Sequence, residues 1–183
     1  MTEARHEAAE APHWSALLSA HQAAAAAFAA RAAAVPADRW EEPRAPGKWS
    51  PAQETQHLVL AYEALLRELR GGRGMRPQLR PWHRLLLRLF VKPRLLRTGR
   101  FPPASAPREI RPPDRLPPQA AAVARLRRHA VEFDAVIART RAATPGRRLT
   151  HPYFGWLTLE EAVRFCEVHV RHHAARLPGE SSG

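Results

Sequence analysis

The chain has 183 residues, of which 45% are hydrophobic, and it carries 29 Lys and Arg against 17 Asp and Glu. This length suits one domain with its own core, and this hydrophobic content excludes a fully disordered chain. The single cysteine, Cys166, excludes an intrachain disulfide and a cysteine-rich zinc site. Because no apolar run approaches the ~20 residues of a membrane span and no secretory signal opens the chain, we expect a soluble, cytoplasmic protein.

The positive charge is concentrated in one part of the chain. The formal net charge is +12, and residues 70–115 alone contain thirteen Lys and Arg against Glu109 and Asp114. The remainder is therefore nearly neutral. This distribution indicates a basic segment within an ordinary domain rather than a uniformly basic protein that binds nucleic acid.

The first predicted helix covers residues 12–34. Pro12 suits a first helical turn, the alanine-rich stretch after it has high helix propensity, and Pro36 ends the helix. We expect residues 1–11 and 178–183 to be flexible termini on either side of a single domain at 12–177.

The second predicted helix has a well-marked start. Ser50 is a favourable N-cap, Pro51 suits the first helical position, and Gln53 completes a capping box. Gly71 and Gly72 end this helix.

A basic, proline-rich crossover is predicted over residues 71–118. Residues 81–93 can form a short amphipathic helix, with arginines on one side and Leu85, Leu86, Leu89 and Phe90 on the other, whereas the prolines favour an extended chain elsewhere. We favour a solvated insertion whose apolar half packs on the core. The alternatives are contact with an anionic membrane, attraction of an anionic substrate, and nucleic-acid binding, which lacks a supporting motif.

Two further helices complete the expected fold. The third covers 118–143, and the fourth begins after Thr158, with Glu161 completing a second capping box, and ends before Pro178. The segment between them has the composition of a turn, and no stretch alternates with the period of two that marks a strand. The pattern predicts an all-α four-helix bundle with a long crossover that contains a short extra helix.

Three histidines form the candidate site. His169 and His173 are four residues apart and therefore share one helix face, and His57 lies on the apolar face of the second helix. Three neutral imidazoles with open positions for water are typical of catalytic zinc or nickel sites. With ten histidines in the chain, a pair at this spacing can also arise by chance and serve only structure.

Two segments carry a resemblance to a known family. GKWSPAQETQHL at 47–58 and HPYFGWLTLEEAVRFCEVHVRHHAARL at 151–177 resemble the second and last helices of the DinB-like superfamily, which includes YfiT-like proteins. The resemblance implies a four-helix bundle that binds one divalent metal ion through His57, His169 and His173. The imidazole ligands favour Zn²⁺, with Ni²⁺ or another divalent ion as the alternative. It also implies an activity such as metal-dependent hydrolysis or transfer to a low-molecular-weight thiol.

Three more residues are candidates around this site. Glu54, one turn before His57, can hold an imidazole N–H in place. His151 precedes a turn and either hydrogen-bonds locally or lies beside the site, and Arg176 stands where the family often has Gln. Gln53 stands where the family usually has Glu, so the resemblance predicts the ligands better than the pocket contacts.

The sequence therefore supports two classes of function. The first is a metal-dependent hydrolase or thiol S-transferase that acts on a small molecule or a low-molecular-weight thiol. The second is a non-catalytic binding module that contacts an anionic membrane or nucleic acid through residues 73–100. Either class is compatible with a homodimer.

Overall fold

The computed structural model describes residues 2–178, with side chains from His13 onward. Six α-helices and two short strands are formed in this part of the chain. They are, in chain order, α1 (Thr2–Ala33), α2 (Pro51–Leu69), α3 (Pro81–Leu86), α4 (Lys92–Thr98), α5 (Gln119–Ala143), β1 (Arg148–His151), β2 (Gly155–Thr158) and α6 (Leu159–Ala174).

The four long helices form the predicted bundle. Helix α1 packs against α5 and α6, and α2 packs mainly against α5. Helices α2 and α6 make few direct backbone contacts with each other, which leaves space for a cavity between them. The almost fully buried core side chains include Phe28, Tyr62, Leu126, Phe133, Ile137 and Val163.

The two helices that carry the candidate site begin where the sequence predicts. The Ser50 hydroxyl accepts from the Gln53 backbone N–H at 3.3 Å, and the Gln53 side chain accepts from the Ser50 N–H at 3.0 Å. Thr158 and Glu161 form the same reciprocal pair at the start of α6. Because each box satisfies backbone donors at a defined residue, the rotational positions of His57 and of the α6 histidines follow from the helix starts.

The first helix is longer than predicted. It begins at Thr2, so residues 2–11 continue the helix instead of preceding it, and Pro12 lies in its interior. The Ala- and Glu-rich composition before Pro12 favours helix strongly enough to explain the earlier start. The predicted flexible C-terminus falls almost wholly at 179–183, outside the described residues.

The prediction that the chain lacks strands is wrong at residues 148–158. Strands β1 and β2 pair antiparallel, with Leu149 opposite Leu157 and His151 opposite Gly155. Four residues per strand are too few for a period of two to stand out in the sequence. Gly155 has a positive φ of 83°, which a residue without Cβ adopts at little cost.

The segment at 71–118 is helical over more of its length than predicted. Helices α3 and α4 are joined by a π-helical turn at Leu87–Val91, and the chain after Thr98 is irregular apart from a short 3₁₀ turn at Arg108–Ile110. Leu95 is buried, and Leu87 and Val91 pack on the core.

The apolar side predicted to pack on the core does not do so. Leu85, Leu86, Leu89 and Phe90 are exposed, because Leu87, Val91 and Leu95 occupy the inner face of this helical segment. Among the described helices, none is both long enough and apolar enough to cross a bilayer.

Candidate metal centre

Helices α2 and α6 bring three imidazoles to one point. His169 Nε2 lies 3.2 Å from His57 Nε2 and 2.9 Å from His173 Nε2. We refer to His57, His169 and His173 as the histidine cluster. His57 and His173 are buried, and His169 is half-buried at the wall of the cavity.

The partners of two Nδ1 atoms determine which ring nitrogens carry hydrogen. His57 Nδ1 lies 2.8 Å from the Ile110 carbonyl oxygen, and His173 Nδ1 contacts the Glu54 carboxylate. A carbonyl oxygen or an ionised carboxylate can only accept, so with Glu54 ionised both Nδ1 atoms donate and both Nε2 atoms present lone pairs. One N–H on His169 can satisfy only one of these lone pairs, whereas a cation bound by all three Nε2 atoms would satisfy the whole cluster.

The same histidines resist protonation. Burial lowers the pKa of His57 to about 4, against the raising effect of the hydrogen bond to Ile110. Burial, followed by the charges of the neighbouring imidazoles, also holds the pKa of His169 and His173 well below the ordinary value. The imidazoles are therefore neutral near pH 7, which is the form that binds metal.

Glu54 lies behind the histidine cluster. Its carboxylate accepts from His173 Nδ1 and lies 4.0 Å from the Arg176 guanidinium. Burial raises the pKa of Glu54 to about 7, while Arg176 and Arg44 oppose that rise. A carboxylate at Nδ1 orients the ring and raises the basicity of Nε2, as in many zinc sites.

His151 lies outside the cluster. Its Nδ1 accepts from the backbone N–H groups of Tyr153 and Phe154 at 3.2 Å each, and its ring stacks on Phe154 with centroids 4.4 Å apart. Burial, with a smaller effect of Lys92, lowers the pKa of His151 to about 3. It is thus a neutral residue of the hairpin turn that also lines the cavity.

A cavity of about 980 Å³ opens beside the histidine cluster. Its lining is largely apolar, and four cationic residues contribute to it: Arg44, Lys48, Arg111 and Arg176. Glu54 is the one acidic residue among those that line it. The cavity therefore combines an apolar interior with an excess of positive charge.

Several features of this site have weak or no signals in the sequence. The centroid of the Trp49 ring lies 4.9 Å from that of His57 and 6.3 Å from that of His173, although its position before the N-cap favours an anchor for α2 over a role in stacking on a substrate. The Ile110 carbonyl is a backbone group of an irregular segment, so no residue type could mark it. Phe101 contacts His172, whose ring stays out of the cluster, with centroids 4.4 Å apart.

Comparisons with known proteins identify the family and a similar fold. The DinB superfamily profile matches residues 20–177. In fold, the chain is similar to YfiT from Bacillus subtilis, described as a probable metal-dependent hydrolase with an unusual four-helix bundle topology. The TM-score is 0.56 at 15% identity, and the match covers 90% of this chain and 83% of YfiT. No curated protein sequence matches the chain. Because the profile spans the bundle from α1 to the end of α6, the chain belongs to the DinB superfamily.

Proposed function

We propose that this protein is an enzyme that uses one divalent metal ion held by His57, His169 and His173. The observation that carries the proposal is the convergence of three Nε2 atoms, two of which present lone pairs because their Nδ1 atoms donate elsewhere. Membership of the DinB superfamily and the metal-dependent character ascribed to YfiT support it. An all-nitrogen set favours Zn²⁺, with Ni²⁺ as the alternative.

The bound ion would supply Lewis acidity toward a water molecule or a thiol, the chemistry of hydrolysis or of thiol transfer. The residues of the chain prepare the site for it. Glu54 and the Ile110 carbonyl keep hydrogen on the Nδ1 atoms of His173 and His57, so that their Nε2 atoms stay available. Trp49 shields His57 and His173 on one side, and His169 faces the cavity.

We propose a small organic substrate or a low-molecular-weight thiol that carries negative charge. A volume of about 980 Å³ is at the upper end of the range for small-molecule sites. Arg44, Lys48, Arg111 and Arg176 would attract an anion, and the apolar lining would accept its hydrocarbon part. We place the protein in the cytoplasm, where low-molecular-weight thiols are kept reduced.

The test combines metal analysis with an activity panel. Purified protein should bind one Zn²⁺ or Ni²⁺ per chain after loading and dialysis, and it should convert a member of an ester or thiol-transfer panel. Loss of turnover in His57→Ala, with turnover retained in the matched variant His129→Ala on α5, would support an enzymatic function. A loaded protein with no turnover on any substrate would favour the non-catalytic binding module, and absence of binding would refute the metal site itself.

A further inference from the structure

The outer face of α3 and the π-helical turn is an exposed apolar patch, formed by Trp82, Leu85, Leu86, Leu89 and Phe90. The exposed fraction ranges from 46% for Leu86 to 70% for Phe90. Among the described residues, the other exposed large hydrophobic side chain is Val131, which lies on α5. Five such side chains within nine residues are unusual for a protein surface, where exposed apolar residues are normally scattered.

The helical segment that bears this patch is held firmly to the bundle. Lys92 is buried and forms an ion pair with Glu161 at the start of α6. The Arg88 guanidinium lies over the Trp156 ring at 4.6 Å from its centroid, and Leu95 is buried. The patch therefore faces outward because the inner face of the segment is already packed.

Positively charged residues flank the exposed apolar patch along the chain. Residues 70–108 contain eleven Lys and Arg and no Asp or Glu. Arg80 precedes the patch, and Arg94 and Arg97 follow it; all three are exposed. Within the described part of the chain, none of these three arginines forms an ion pair, so their charge is available to a partner.

We propose that the exposed apolar patch docks this protein on the surface of a bilayer that contains anionic lipid. Apolar side chains on one face with cations beside them are the pattern of a helix that lies in the membrane interface. Trp82 and Phe90 would enter the headgroup region, and Arg80, Arg94 and Arg97 would contact lipid phosphates at the anionic surface.

A second copy of the chain fits the patch less well. An isologous interface places each patch on its own counterpart, which would bring the flanking arginines of the two copies together. Residues 70–108 offer no acidic side chain to neutralise them. Nucleic acid would satisfy the arginines but would leave the aliphatic side chains without an apolar partner. An anionic bilayer supplies both kinds of contact.

The docking test uses the full chain and two kinds of vesicle. Co-sedimentation is measured with vesicles of phosphatidylcholine alone and of phosphatidylcholine mixed with phosphatidylglycerol, at low and high salt. We expect binding to the mixed vesicles that falls at high salt. The double variant Leu89→Ser/Phe90→Ser and the double variant Arg94→Gln/Arg97→Gln should each reduce this binding about tenfold or more.

Val131→Ser is the matched control, because it removes an equally exposed hydrophobic side chain from α5. It should sediment like the wild type, and thermal unfolding should show that all variants fold. Lack of binding by the wild type, or equal binding by the patch variants, would overturn the proposal. A wild-type dimer that Leu89→Ser/Phe90→Ser dissociates, with no vesicle binding, would identify the patch instead as an interface between two copies.

Discussion

Histidine nitrogens in the interior of the bundle find partners in two different ways. In the first, which we call the core network, His21 Nδ1 lies 2.7 Å from Asp134 Oδ1 and His21 Nε2 lies 2.7 Å from the Tyr62 hydroxyl. In the histidine cluster, three Nε2 atoms lie next to one another instead.

The difference shows why burial alone does not identify a functional histidine. In the core network each ring nitrogen has a complementary partner: Nδ1 donates to the carboxylate, and Nε2 accepts from the phenol. In the histidine cluster the outer nitrogens of His57 and His173 are used in the same way, but their inner nitrogens face other imidazoles. In the core network both ring nitrogens of His21 have a partner, whereas in the histidine cluster the inner nitrogens would gain one from a bound cation.

The largest effect should come from removing a cluster histidine. We expect His169→Ala and His173→Ala to lose Zn²⁺ binding almost entirely, at least 100-fold in affinity, because two ligands rarely hold the ion in a protein site. Metal content after loading and dialysis, together with calorimetric titration, measures this. His21→Ala should still bind the metal as long as it folds. Equal metal loss in that variant would contradict the difference proposed between the core network and the histidine cluster.

In the metal-free protein, a substitution in the core network should reduce stability more than one in the histidine cluster. His21→Ala leaves the Asp134 carboxylate and the Tyr62 hydroxyl unpaired in the core, so we expect a loss of ~3 kcal/mol in the free energy of unfolding. His169→Ala removes an imidazole that faces other imidazoles, and we expect a change within ~1 kcal/mol. Urea unfolding in the presence of chelator measures both, and a larger loss in His169→Ala would contradict the comparison.

Acid should destabilise the metal-free protein. The folded pKa is about 4 for His57 and about 3 for His151, both below the ordinary 6.5, so the unfolded state binds more protons below pH 6.5. Lowering the pH from 7 to 5 then costs about 2 kcal/mol for each histidine. Glu54 acts in the opposite direction, because its pKa in the folded state is raised to about 7 and the folded state therefore gains a proton between pH 7 and pH 5. This gain offsets about as much stability as one of the two histidines loses.

We therefore expect a net loss of about 2 kcal/mol or more between pH 7 and pH 5, from urea unfolding at a series of pH values. The free energy of unfolding of a His57→Gln variant should fall by less over the same pH interval. Stability that stays constant or rises toward pH 5 would show that the cluster is not held in its neutral form.

The smallest effect should come from Glu54→Gln. An amide still accepts from His173 Nδ1 but no longer supplies negative charge behind the ring, so Zn²⁺ affinity should fall 10–100-fold. Competition with a chromophoric chelator measures the affinity. Glu63→Gln is the control, because Glu63 also belongs to α2 but pairs with Arg125 and His129 away from the cluster. Equal Zn²⁺ affinities in the two variants would show that Glu54 does not contribute to the metal site.

The starts of α2 and α6 and the pair of His169 and His173 could be predicted because their signals are local. Capping boxes mark the helix starts: Ser50 with Gln53 for α2, and Thr158 with Glu161 for α6. A spacing of four residues places His169 and His173 on one face of α6. The hairpin at 148–158 could not be predicted in the same way, because four-residue strands are stabilised by their pairing and by the bundle that they contact.

The sequence by itself determined where α2 and α6 begin, the pairing of His169 with His173, and the concentration of charge between residues 70 and 115. Only the tertiary structure decided that His57 joins the pair while His21 binds Asp134 and Tyr62, because complementary partners come from helices far apart in the chain. It also decided that Phe90 faces outward, since an amphipathic pattern shows that a helix has an apolar face but not which surface that face meets.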